Sequence, residues 1–86
     1  MLDRDRLMNL PVKAGATAAM QVIDALQKGH RPEAQVLGAA AVITLLVERF
    51  GLEVQDVMSA TRHLMNHAEG RRPEFAAVAE YLAKEI

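Results

Sequence analysis

Two Gly-x-x-Pro segments, Gly29–Pro32 and Gly70–Pro73, restrict the fold of this chain more than any other feature. Glycine readily adopts the left-handed conformation just after a helix, and proline suits the first position of the next helix. A third glycine, Gly51, follows Phe50 and precedes a segment with acidic residues that suit a helix start. These three boundaries predict four successive helices.

Most of the predicted helices are amphipathic, with an apolar face and a polar face. A short N-terminal turn and four helices are predicted, over residues 3–9, 11–28, 32–50, 54–68 and 73–86. In the first, third and fourth helices apolar residues recur at helical spacing on one face. A chain of 86 residues is too short for two cores. We therefore expect an all-α fold, a compact four-helix bundle, in a single domain spanning residues 1–86.

The second predicted helix is the most apolar part of the chain, since Thr44 is the only polar residue between Val36 and Val47. A helix that is apolar all round needs neighbours over most of its circumference, so we expect it to lie at the centre of the bundle. Three amphipathic neighbours would leave some hydrophobic surface uncovered, and a homodimer would bury it. The stretch is about 18 Å long and a bilayer core is roughly 30 Å thick, so no membrane span is expected.

Composition indicates the setting in which the protein works. The chain has no cysteine, which excludes disulfides, thiol catalysis and Cys-type zinc sites and favours a reducing compartment, the cytoplasm. The formal net charge is -1, so no global field would attract nucleic acid or an anionic membrane. The N-terminal residues carry charges of both signs and lead into no apolar segment typical of a secretory signal.

The residues that nucleophilic catalysis needs are scarce. Ser59 is the only serine, and neither it nor the threonines lie in a glycine-flanked elbow or a triad pattern. Carboxylate pairs fall at helix ends or on solvated faces, where raised pKa values are not expected. We therefore predict no enzyme activity and no cofactor.

The segment from residue 63 to residue 74 holds the candidate binding residues. They are His63, Asn66, His67, Arg71, Arg72 and Glu74. His63 and His67 stand four residues apart, so on one helix their rings would project from the same side and could chelate a metal ion. A metal-binding helical protein is therefore one alternative, although a third ligand would have to come from elsewhere in the fold.

Arg71 and Arg72, with Arg62 nearby, form the only local concentration of positive charge. Beside a helix N-terminus, such a pair could bind a phosphate or a carboxylate, which makes a small nucleic-acid-binding regulator the other alternative. Glu69 and Glu74 flank the pair, and no aromatic residue is interleaved to stack on bases. Intramolecular ion pairs are therefore the favoured interpretation, and a nucleic-acid partner is disfavoured.

Three segments, Glu48–Leu52, Gln55–Val57 and Met65–Phe75, resemble small uncharacterised helical proteins encoded by bacteriophages or prophages. The resemblance implies a small accessory protein that acts in a bacterial cytoplasm through contacts with phage or host proteins, and it assigns no functional residue. We therefore expect a non-enzymatic protein that binds an unidentified protein partner, through a helical face or through the corner at residues 66–74, and that forms a homodimer.

Overall fold

The computed structural model describes residues 2–86, which form five helices and one small hairpin. In chain order the elements are α1 (Arg4–Met8), α2 (Val12–Leu26), α3 (Pro32–Phe50), α4 (Val54–Met65), β1 (Asn66–His67), β2 (Gly70–Arg71) and α5 (Pro73–Glu85). Helices dominate, so the predicted all-α class is confirmed apart from the hairpin. The four longer helices begin close to their predicted positions, and α3 has the predicted bounds.

The buried core is small and lies between α2 and α5. Ala16 and Ile23 of α2 pack with Phe75 and Val78 of α5 to form it. Half-buried apolar side chains from α2, α4 and α5 surround this cluster. In α2 and α5 the buried residues belong to the faces that the apolar periodicity predicts to point inward.

Helix α4 packs against α1 on one side and approaches α2 on the other. Arg4 of α1 forms an ion pair with Asp56 of α4, with 3.5 Å between Nε and Oδ1. A Cβ atom at Gly15 of α2 would lie 2.6 Å from Cδ2 of Leu64 in α4. Glycine at this position therefore leaves room for the Leu64 side chain against α2, and packing is a common reason for glycine inside a helix.

The prediction that residues 32–50 form the central helix is wrong for this chain. None of the nineteen residues of α3 is buried, and only Gln35, Ala39 and Val47 are half-buried. The core forms between α2 and α5 instead, where Phe75 provides a large aromatic side chain. A helix that is apolar all round must pack against other apolar surface, but its composition does not show whether that surface belongs to the same chain.

The molecule is flat, because α3 lies beside the packed helices and is not surrounded by them. Its principal dimensions are 36 × 32 × 17 Å, and its accessible surface is 6447 Å². This shape leaves most of α3 in contact with solvent.

Candidate functional site

An apolar surface along α3 is the feature of the fold that most needs explanation. Seven of the thirteen large apolar side chains that are exposed in residues 2–86 belong to this helix. They are Val36, Leu37, Val42, Ile43, Leu45, Leu46 and Phe50, and we refer to them as the α3 apolar surface. Their exposed fractions run from 45% to 68%, so roughly half or more of each residue is in contact with solvent.

Both ends of α3 are fixed by local hydrogen bonds. At the N-terminal end, Gln35 donates a hydrogen bond from Nε2 to the carbonyl oxygen of Leu26 at 3.0 Å. At the C-terminal end, Gly51 adopts a left-handed φ of 63° and the Leu52 N–H donates to the carbonyl oxygen of Val47 at 3.0 Å. This is the Schellman arrangement that ends many helices at glycine. The first bond joins the start of α3 to the end of α2, and the second ends α3 at Gly51, while most of the helix between them is exposed.

Three apolar grooves border α3. The groove between α2 and α3 has a volume of about 620 Å³, and Val22 and Ile23 of α2 face Val42, Ile43 and Leu46 of α3 across it. A second groove lies between α3 and the α1 and α4 side of the fold. A third lies between the first half of α3 and the end of α5. Open spaces therefore separate α3 from its neighbours where a central helix would have packed side chains.

The middle of α3 carries no charge. Between Glu33 and Glu48 every residue is uncharged. The hydroxyl of Thr44 donates to the carbonyl oxygen of Ala40 at 2.9 Å, so it needs no other partner. Gln35 is the other polar side chain of this stretch, and its amide already donates a hydrogen bond to the carbonyl oxygen of Leu26. A second apolar surface could therefore cover residues 34–47 without burying a polar side chain that makes no hydrogen bond.

The corner predicted from residues 63–74 contains a hairpin between α4 and α5. Its two short strands pair antiparallel, with Asn66 opposite Arg71 and His67 opposite Gly70. Gly70 has a φ of 129°, a backbone conformation that side chains rarely allow. Strands of two residues are too short to produce an alternating apolar pattern, so the sequence does not reveal them.

The hairpin places the two histidines on different elements. Helix α4 ends at Met65, so His63 lies in its last turn and His67 lies in β1. The prediction that residues 54–68 form one helix with both rings on one side is therefore wrong. His67 accepts a hydrogen bond at Nδ1 from the Glu69 N–H at 3.1 Å. Within residues 2–86 no group of three His, Asp or Glu side chains is arranged to hold a metal ion.

The other polar residues of the corner mainly hold the chain in shape. Arg72 donates from Nε and Nη2 to the carbonyl oxygen of His63, at 3.3 and 3.2 Å. Asn66 donates from Nδ2 to the carbonyl oxygen of Arg62 at 3.1 Å. The remaining predicted residues, Arg71 and Glu74, are exposed. Arg72 is thus partly used within the chain, and Arg71 is the arginine of the pair whose side chain extends from the surface of the hairpin.

The sequence predicts an uncovered apolar surface, but the candidate site residues predicted from it lie in the corner at residues 63–74. The signal that locates the surface is the run from Val36 to Val47, which predicts a buried central helix and instead forms the exposed α3. No single helix in residues 2–86 is both long and apolar enough to cross a membrane, and α3 and α4 satisfy that test only as a pair bent by 116°. Comparison of the chain with known families, characterised proteins and solved structures finds no match.

Proposed function

We propose that this chain is a non-catalytic protein-interaction module of the cytoplasm and that the α3 apolar surface is its docking face. The observation that carries the proposal is the exposure of seven large apolar side chains on one helix. Apolar residues scattered singly over a surface are normal, whereas a contiguous apolar group is typical of a binding site. A role as a small accessory protein, of the kind that phage and prophage genomes encode, fits this module.

The chemistry of the α3 apolar surface favours a protein as the occupant. A helix that lies on a membrane needs a charged face opposite its apolar face, and residues 34–47 contain no charge. A small-molecule site normally combines apolar walls with a few converging polar groups, and the residues that line the groove between α2 and α3 are all apolar or glycine. Apolar side chains of another protein would match both features.

The corner at residues 66–74 is the weaker candidate for the docking face. The corner carries both positive arginines and negative glutamates. Arg72 already donates two hydrogen bonds to the carbonyl oxygen of His63. A partner there would have to displace those bonds or bind beside them, which reduces the gain in free energy. The α3 apolar surface has no such competition.

Site-specific photo-cross-linking in living cells tests the proposal. A photoreactive residue at position 45 would lie in the α3 apolar surface, where Leu45 is 62% exposed. A matched control places the same residue at position 54, where Val54 is 61% exposed but belongs to α4 and lies outside the α3 apolar surface. We expect a discrete protein adduct from position 45 and none from position 54. The proposal fails if position 45 yields no protein adduct, or if both positions give the same products.

A further inference from the structure

We infer that the protein covering α3 is a second copy of this chain, docked about a two-fold axis so that the α3 helix of each copy contacts the groove between α2 and α3 of the other. The inference rests on the proposed function, because it names the partner of the same surface. It is supported by the amount of exposed surface, by the charge pattern of α3 and by the all-round apolar composition of that helix.

The accessible surface is larger than the average for a folded monomer of this length. A chain of 86 residues should expose about 5,000 Å² when folded alone, and this one exposes 6447 Å², a surplus of about 1,400 Å². If each of two copies buried that surplus, the interface would total about 2,800 Å², which lies in the range of roughly 2,000 to 5,000 Å² for obligate homodimers. The surplus is therefore of the size that a stable dimer requires.

The charge pattern of α3 suits contact with an identical copy. A two-fold axis brings residues near it close to the same residues of the other copy, so any charge near the axis would face a like charge. Residues 34–47 carry no charge, while Glu33 and Glu48 mark the two limits of the stretch. The middle of α3 can therefore meet its own copy without electrostatic repulsion.

A dimer also explains why α3 is apolar around its whole circumference. In one copy, the grooves beside α3 are bordered by α1, α2, α4 and α5, and these grooves are partly open. Side chains such as Leu37 and Leu45, which line none of these grooves, are 68% and 62% exposed. The second copy would cover them, so that α2 and α3 of both copies form the helical bundle whose centre is apolar.

A pair of identical substitutions tests the inference with the intact chain. Val42 lies in the groove between α2 and α3 and is 55% exposed, whereas Val54 lies outside the grooves and is 61% exposed. Val42→Glu would place a charge in the proposed interface of both copies, while Val54→Glu would place the same charge in the first turn of α4, where an acid is well tolerated. Leu45→Gln provides a second interface variant with a neutral polar group.

Analytical ultracentrifugation over a range of concentrations gives the readout. We expect twice the chain mass for the wild-type protein and for Val54→Glu, and half that value for Val42→Glu and Leu45→Gln, with helical circular dichroism retained in all four. A wild-type protein that stays at the chain mass at every concentration overturns the inference. So does an interface pair that remains dimeric. If Val42→Glu loses its helical signal, the result for Leu45→Gln decides.

The cross-linked products separate this inference from the proposed function. An adduct from position 45 at twice the chain mass supports the second copy. Adducts that contain only other proteins leave α3 as a docking face but overturn self-association. The absence of any adduct overturns both.

Discussion

Helices α2 and α3 are both rich in apolar residues, yet only α2 is built into the core. Ile23 of α2 is 7% exposed, whereas Ile43 of α3 is 49% exposed. The apolar residues of α2 repeat on one face and its polar residues occupy the other, so the helix has one orientation that satisfies both. The apolar residues of α3 surround it, so no single orientation against its own chain can cover them. Apolar periodicity therefore predicts which face of a helix packs within the chain. Apolar content alone predicts only that the helix must be buried against some other apolar surface.

Replacing each of the two phenylalanines by alanine tests this contrast, and it should give the largest difference in the free energy of unfolding. Phe75 of α5 is 5% exposed in the core, and Phe50 at the end of α3 is 46% exposed, with Arg49 5.7 Å from its ring centre. We expect Phe75→Ala to lower the free energy of unfolding by about 3 to 5 kcal/mol, because it removes a buried ring and leaves a cavity. Phe50→Ala should cost about 1 kcal/mol or less in the monomer, from the lost ring contact with Arg49.

Chemical denaturation followed by circular dichroism measures both values. The comparison should be made at a concentration low enough for the wild-type protein to be monomeric, so that the stability of a dimer does not enter the result. Equal losses for the two variants would contradict the contrast between a packed α5 and a bare α3.

Substitutions of Gly15 in α2 and of Gly38 in α3 should change the free energy of unfolding by smaller amounts, and in opposite directions. Gly15 faces Leu64 of α4, while a Cβ atom at Gly38 would meet nothing within 4 Å. Gly15→Ala should lower the free energy of unfolding by about 1 kcal/mol, because overpacking against Leu64 exceeds the gain in helix propensity. Gly38→Ala should raise it by about 1 kcal/mol, because only the gain in propensity remains.

Both glycine variants should be made in the Val42→Glu background, which we expect to be monomeric. Thermal or urea unfolding then reports the stability of the single chain. A loss of stability at Gly38 in that background would mean that α3 packs more closely against its own chain than the fold indicates.

The sequence was sufficient to predict where the four longer helices begin and where α3 ends, because local residues determine these positions. Gly51 takes the left-handed conformation that ends α3, and Pro32 and Pro73 begin α3 and α5 as expected. These are effects within a few residues of chain. The short turn before Val12 was also predicted, and it is the helix α1.

The placement of α3 and the geometry at His67 could not be predicted in the same way, since both depend on contacts between distant or competing segments. An apolar helix can be covered by its own chain or by another, and its composition is the same in both cases. At the end of α4 the helical pattern continues to Ala68, but Asn66 takes an extended conformation and pairs with Arg71. That pairing separates His63 from His67 and removes the geometry on which a two-histidine metal site depended.

The last prediction concerns a hydrogen bond between two side chains of the packed pair, α2 and α5. The hydroxyl of Tyr81 in α5 donates a hydrogen bond to the carboxylate of Asp24 in α2. This bond is the main reason that the pKa of Tyr81 rises from 10.0 to about 12, with desolvation and the negative charges of Asp24 and Glu85 adding to it. Between these two pH values the folded state keeps a proton that the unfolded state loses, so the bond stabilises the fold fully below pH 10 and its contribution is lost as pH rises toward 12.

Tyr81 is the only tyrosine, so its ionisation can be followed directly by ultraviolet absorbance. We expect a titration midpoint near 12 in the folded protein and a shift back toward 10 in Asp24→Asn, which removes the charged acceptor. In Tyr81→Phe the free energy of unfolding should lose the part of its pH dependence that this side chain contributes, and the difference from the wild-type protein isolates it from the titration of the lysines. A midpoint near 10 in the wild-type protein would mean that the bond between α2 and α5 does not persist in solution, and the contrast between this packed pair and α3 would then depend on the apolar core alone.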